Sequence, residues 1–108
     1  MAVLIPDPHF LEPIANHFKA LSEPSRLLLL DLLQRNGELN VQELVEASGL
    51  RQANISKHLA ILLDADVIKR RKDGVMAYYS IADNSLQGLC LLAYNRLMIQ
   101  QRKNPKGE

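Results

Sequence analysis

Two polar clusters in the middle of the chain carry residue types that bind nucleic acid. The first offers amide, hydroxyl and cationic groups at Arg51, Gln52, Asn54, Ser56, Lys57 and His58. The amides of asparagine and glutamine can pair with the edge of adenine, and lysine or arginine can reach guanine. The second cluster is the cation run Arg70-Arg71-Lys72. Cations of this kind bind phosphates, which fixes the position of a protein on DNA but does not distinguish one base sequence from another. We interpret the two clusters as the base-contacting and phosphate-contacting parts of a DNA-binding surface.

The uneven distribution of charge along the chain supports this interpretation. The formal net charge of the 108 residues is only +1. However, residues 1–50 carry three cations and seven anions, whereas residues 51–72 carry six cations and two anions. DNA attracts local clusters of cations rather than an average charge. The middle segment is therefore predicted to contact phosphates.

Apolar spacing predicts the helices that must hold these residues in place. The predicted helices are about residues 9–21, 23–36, 41–48, 51–63 and 83–101. The second should be central and buried, because leucine fills five of the six positions from Leu27 to Leu32. The third should begin at a cap formed by Asn40 and end at Ser48-Gly49.

Between residues 51 and 81 the spacing of the apolar residues changes from a helical to a strand-like pattern. In the helix at 51–63, Ile55, Leu59 and Leu62 share one face, so the polar cluster should point away from the core. Strands are then predicted at Val67–Arg71 and Met76–Ile81, joined by a tight Asp-Gly turn. Two short helices, a tight turn and a basic hairpin predict a winged helix-turn-helix. The predicted fold class is mainly α with a small β-hairpin wing and five or so helices.

The length of the chain suits a single domain. Residues 1–8 are predicted to form an N-terminal arm, residues 9–101 the winged-helix domain, and residues 102–108 a frayed tail. The longest apolar run is Leu27–Leu30, far short of the roughly 20 residues that a membrane span needs. We expect a cytoplasmic protein without membrane contact.

The segments "FKALSEPSRLLLLDLL" and "GELNVQELVEASGLRQANISKHLAILLDADVIKRRKDGVMAYYSI" resemble the ArsR (arsenic-repressor) family. With the last helix, the resemblance covers about residues 15–100. It implies a homodimer built on the first and last helices, which binds an inverted repeat in promoter DNA and represses it. The apolar stripe of the last helix also exceeds what one small core needs. The predicted dimer interface consists of Phe10, Ile14, Leu86, Leu89, Cys90, Ala93 and Leu97.

The metal sites that the resemblance implies are incomplete in this chain. The family's thiolate pair lies in a Glu-Leu-Cys-Val-Cys-Asp-Leu pattern, where this chain has Asn40 and Gln42 in place of cysteine. Soft metals need those thiolates. The family's second site falls on Asp83, Ser85, Arg96 and Ile99, so one ligand of four is kept. We predict no metal and no cofactor, which leaves an unknown small molecule, an oxidant, a protein partner or constitutive action.

The sequence leaves alternatives open for His58, for Cys90 and for the class of function. His58 either packs at the edge of the buried face or contacts DNA, and Cys90 either fills the apolar stripe as a small hydrophobe or acts as a thiol switch. A winged helix used mainly for protein binding is the competing function, although the polar face of residues 51–57 argues against it. We predict no enzyme, because the chain has no phosphate-binding glycine loop and no catalytic constellation.

Overall fold

The computed structural model describes residues 2–103. A 3-10 turn at Pro8–Phe10 leads into helices and strands whose bounds are α1 Leu11–Leu21, α2 Pro24–Asn36, β1 Leu39–Asn40, α3 Val41–Ser48, α4 Gln52–Asp64, β2 Ile68–Asp73, β3 Met76–Ile81 and α5 Leu86–Lys103. The predicted mainly α fold with a hairpin wing is confirmed. Within the described part of the chain, no helix is long and apolar enough to cross a membrane.

Local sequence signals explain where the central helices begin and end. The side chain of Asn40 accepts a hydrogen bond from the Glu43 backbone N–H at 2.8 Å, and the Glu43 carboxylate accepts one from the Asn40 N–H at 2.9 Å. This capping box begins α3. Gly49 ends it at φ +73°, a left-handed conformation that glycine adopts without steric cost. The tight turn between α3 and α4 therefore follows from the sequence.

The sheet contains one strand that the sequence did not predict. Its order is β1-β3-β2, and all pairings are antiparallel. In β1, Leu39 pairs with Tyr79, and two residues are too few to produce a visible alternation in sequence. The hairpin is also longer than predicted, since β2 runs from Ile68 to Asp73. Gly74, at φ +62°, then makes the tight turn into β3.

The core is an apolar cluster between α2, α3, α4 and the sheet. Its fully buried side chains are Leu29, Leu33, Leu44, Ile55, Leu59, Leu62 and Val67. The helix predicted to be central and buried, α2, contributes Leu29, Leu30 and Leu33 to this core, but its burial is one-sided, because Leu27 and Leu28 are 42% and 38% exposed. Leu86, assigned from sequence to the dimer interface, is only 5% exposed and belongs to this core. It is the first residue of α5 and packs inward before the helix leaves the domain.

The ends of the chain differ in detail from the sequence prediction. The first α-helix begins at Leu11, because residues 8–10 form the 3-10 turn. The last begins at Leu86 and continues through Lys103, so the first two residues of the predicted frayed tail are helical. Residues 104–108 of that tail lie outside the described residues.

Replacing Asn40 with alanine should destabilise the fold by about 1 kcal/mol, because the substitution leaves a backbone donor of α3 without its cap. Gln42→Ala, on the exposed side of the same helix, removes a single surface contact to Glu46 and should cost less than about 0.5 kcal/mol. Urea unfolding of both variants at one protein concentration measures the difference. Equal losses would contradict the structural role of the capping box.

Candidate nucleic-acid interface

The buried face of α4 determines which of its polar residues point outward. Ile55, Leu59 and Leu62 are almost completely buried. Since successive residues of a helix are about 100° apart, the polar positions between them face away from the core. Five of the predicted DNA-contacting side chains are accordingly exposed: Arg51, Gln52, Asn54, Ser56 and Lys57. They occupy the N-cap and first two turns of α4, which leaves one polar face open for contact.

His58 does not belong to this outward-facing set. Its side chain is only 16% exposed, with Nε2 3.4 Å from Oε2 of Glu23. Its Nδ1 lies 3.3 Å from Nη1 of Arg26. The assignment of His58 to the DNA-contacting residues is therefore corrected, and the packing alternative describes its position. The sequence could not reveal this, because Arg26 is 32 residues away.

Arg71 of the wing forms an ion pair with Glu38 of the same domain. Its Nη2 and Nε donate hydrogen bonds to the two carboxylate oxygens of Glu38 at 2.8 and 3.0 Å. The guanidinium also lies 4.9 Å from the ring centroid of Tyr78, which is its partner across the strands. The hydrogen bonds from Arg71 lower the pKa of Glu38 and raise the pKa of Arg71. Arg71, Glu38 and Tyr78 thus form a group of contacts on the wing that the sequence did not predict. A phosphate contact by Arg71 stays a prediction, and such a contact would compete with Glu38 for the guanidinium.

Arg70 and Lys72 point to the other face of β2 and keep their charges available. Alternation along the strand separates them from Arg71. Both are exposed, and within residues 2–103 neither has a carboxylate oxygen within 4.0 Å. These two cations, together with the outward face of α4, form what we call the basic surface: Arg51, Gln52, Asn54, Ser56, Lys57, Arg70 and Lys72.

A separate apolar surface covers α5 and part of α1. Beyond Leu86, α5 has no buried residue, and the predicted interface residues Leu89 and Leu97 are 38% and 59% exposed. Phe10, Cys90 and Ala93 are also exposed, and Ile14 is half-buried. Sequence reasoning omitted further exposed apolar side chains of the same two helices: Leu11, Phe18, Leu91, Leu92, Tyr94, Met98 and Ile99. Exposed apolar side chains in this number are typical of an interaction site.

Cys90 lies at the edge of an open groove of about 520 Å³ between α2 and α5. Leu27 and Leu30 of α2 and Leu91 of α5 also line this groove. The thiol is exposed, so it does not pack within the described core as a small hydrophobe. Its place is on the apolar surface of α5.

The positions that bear metal ligands in the resembled family have other roles in this chain. Asn40 is the cap of α3. Asp83 accepts hydrogen bonds from the hydroxyl and the backbone N–H of Ser85 at 2.6 and 2.9 Å, which lower its pKa. His17 approaches Asp83 at 4.0 Å. Within the described residues, no group of three or more histidine, cysteine, aspartate or glutamate side chains is placed to hold a metal ion.

Comparison with known proteins identifies the family. Residues 23–70 match the model for bacterial regulatory proteins of the arsR family. The chain is 37% identical over 81 residues to an uncharacterised helix-turn-helix transcriptional regulator of Methanocaldococcus jannaschii, covering 75% of this chain and 91% of that protein. It is 39% identical over 72 residues to the transcriptional repressor SdpR of Bacillus subtilis, covering 67% and 79%. The crystal structure of Rv0081 from M. tuberculosis superposes with a TM-score of 0.79 at 31% identity, over 91% of this chain and 97% of that chain.

These matches span the helix-turn-helix, the wing and the flanking helices, so they confirm the resemblance drawn from the sequence. The chain belongs to the ArsR family of bacterial regulatory proteins, and it is a DNA-binding transcriptional regulator with a winged helix-turn-helix fold.

Proposed function

We propose that this protein is a homodimeric repressor that binds an inverted repeat in promoter DNA. The observation that carries the proposal is the separation of two surfaces on one small domain: the basic surface of α4 and β2, and the apolar surface of α5 and α1. The first has the chemistry of a DNA contact, and the second has the chemistry of a protein contact. Repression is supported by the similarity to a transcriptional repressor of Bacillus subtilis.

The basic surface divides into two parts with different tasks. The polar side chains at the start of α4 fit the major groove, where asparagine and glutamine can form paired hydrogen bonds with adenine. Arg70 and Lys72 are proposed to contact phosphates beside the groove, which fixes the register of the helix. A protein-binding surface would have an apolar centre, so the exposed polar face of α4 argues against a winged helix that only binds proteins.

The apolar surface is proposed to bury itself against a second copy of the chain. A two-fold axis between two copies of α5 would present two α4 helices to successive major grooves, and the operator would then repeat with inverted symmetry. Promoter DNA lies in the compartment of the chromosome, so we propose a cytoplasmic location.

The signal that releases DNA is proposed to differ from that of metal-responsive family members. Asn40 supplies a neutral amide where a soft metal needs a thiolate, and its side chain is already bonded in the capping box. A small molecule, an oxidant, a protein partner or constitutive binding remain the candidate modes of control.

Selection of DNA fragments from a random library by the purified protein tests the proposed function. We expect enrichment of an inverted repeat whose half-sites are about 10–10.5 base pairs apart, or a multiple of that spacing. Failure to enrich any sequence would contradict the proposal and favour a protein-binding module.

Leu89→Glu should convert the protein to monomers, because a charge would be buried in the proposed dimer interface. The monomer should bind the selected operator more weakly. Gln42→Glu is a control, since it adds the same charge on the exposed side of α3, outside the apolar surface, and should leave the dimer intact. Analytical ultracentrifugation measures the state of both variants. A Leu89→Glu protein that remains dimeric would refute the assignment of this stripe.

Arg70→Gln should lower the magnitude of the slope of log affinity against log salt by about 0.9 for each lost phosphate contact, hence about 1.8 for a dimer. Arg71→Gln removes the same charge from the same strand, but Arg71 is bonded to Glu38, so the slope should change little. Fluorescence anisotropy titrations at several salt concentrations measure both slopes. A reduced slope for Arg71→Gln equal to that for Arg70→Gln would mean that Arg71 leaves Glu38 to bind DNA.

Asn54→Ala should relax the preference for one base pair in each half-site by about 1–3 kcal/mol, because the amide is proposed to contact a base edge. Binding to operators altered at single positions measures this change. The salt slope should stay as in the unaltered protein. A uniform loss of affinity for all sequences would place Asn54 on the phosphate backbone instead.

A further inference from the structure

A chain of polar contacts joins α4 to the junction between α1 and α2. Arg26 donates a hydrogen bond from Nε to the backbone carbonyl of Ala20 at 2.7 Å, and its Nη2 lies 3.4 Å from the carbonyl of Lys19. Its Nη1 is 3.3 Å from Nδ1 of His58, and Nε2 of the same ring is 3.4 Å from Oε2 of Glu23. We call Glu23, Arg26 and His58 the imidazole bridge. It links the last turn of α1, the start of α2 and the middle of α4.

The contacts of the ring determine which nitrogen carries its proton. A guanidinium has hydrogen-bond donors and no acceptor, so Nδ1 of His58 must accept from Arg26. The proton of a neutral imidazole is then on Nε2, which faces the carboxylate of Glu23. An imidazolium would instead point an N–H group at the cationic Arg26. In this tautomer one ring contacts both partners.

The bridge also contains a buried oxygen that depends on His58. Oε2 of Glu23 is inaccessible to solvent and makes no standard hydrogen bond within the described residues. The N–H of His58 at 3.4 Å is the polar group that approaches it. Removing the ring would leave this oxygen and the Arg26 guanidinium without their link, and buried unpaired polar groups are costly.

The position of the bridge on α4 connects it to DNA binding. Apolar packing of Ile55, Leu59 and Leu62 determines which face of α4 is buried, but it is not directional and tolerates a small rotation of the helix about its axis. Hydrogen bonds are directional. His58 is one turn beyond Asn54 and next to Lys57, so contacts that hold its ring restrain the part of the α4 backbone that carries both outward side chains.

We infer that Glu23, Arg26 and His58 are positioning residues that set the orientation of α4, so that operator affinity depends on them although they lie behind the basic surface. The inference rests on the proposed function. It extends that function from the surface residues to the contacts that hold them in place.

The test replaces His58 by leucine, which forms no hydrogen bonds, and by glutamine, which can both donate and accept them. His58→Leu keeps apolar bulk but breaks both contacts, and its affinity for the selected operator should fall about tenfold. His58→Gln offers an amide oxygen to Arg26 and an amide N–H to Glu23, so its affinity should stay within about twofold of the unaltered protein. Affinity for unrelated DNA should change little in either variant, since phosphate contacts tolerate a small rotation of the helix.

Glu23→Ala provides a second variant and a coupling measurement. Alone it should weaken operator binding, and in the His58→Leu background it should add little further loss, because both substitutions break the same bridge. Thermal unfolding followed by circular dichroism establishes that each variant is folded at the temperature of the binding assay. The Glu23→Ala protein keeps the inference testable if His58→Leu does not fold.

Three results would overturn the inference. These are unchanged operator affinity in folded variants with a lower unfolding temperature, a His58→Gln protein as weak as His58→Leu, and additive effects of the Glu23 and His58 substitutions. If the unaltered protein binds no DNA, the proposed function fails and the positioning role fails with it. If it binds and the variants bind equally well, only the positioning role is contradicted.

Discussion

The burial of one face of α4 is the constraint on which the rest of the structure depends. Ile55, Leu59 and Leu62 pack into a leucine-rich cluster supplied by α2 and α3. This packing leaves the polar residues of α4 exposed, and Val67 and Ile68, buried in the same cluster, tie the start of the wing to it. The apolar core therefore places both parts of the basic surface on the domain, although it contains none of the residues proposed to contact DNA.

Ion pairs and hydrogen bonds hold the wing and α4 at points outside the apolar core. The bidentate pair of Glu38 and Arg71 ties the wing to the residue before β1. Arg26 and Glu23 hold His58 at the back of α4. In both places a basic residue near the proposed DNA surface serves the fold. The charge proposed to face DNA is thus smaller than the cation count of residues 51–72 suggests.

Local patterns in the sequence were sufficient for most of the fold but not for all of the site. Helical spacing predicted α4 and its outward face, and the Asp-Gly turn predicted the hairpin. The carboxylate partner of Arg71 and the partners of His58 could not be predicted, because they lie more than 30 residues away and meet these side chains only after folding. Leu86 was misassigned for the same reason: a helical stripe does not distinguish a residue buried in its own domain from one that faces a second chain.

The central claim is that DNA binds to the outward face of α4 and to the face of β2 that carries Arg70 and Lys72, while α5 forms the dimer interface. Amide chemical shifts of the isotopically labelled protein, recorded with and without the selected operator, test this claim most directly. The account predicts the largest changes in residues 51–57 and around Arg70 and Lys72, with small changes in the C-terminal half of α5. Large changes confined to α5 and α1, with α4 unaffected, would contradict it.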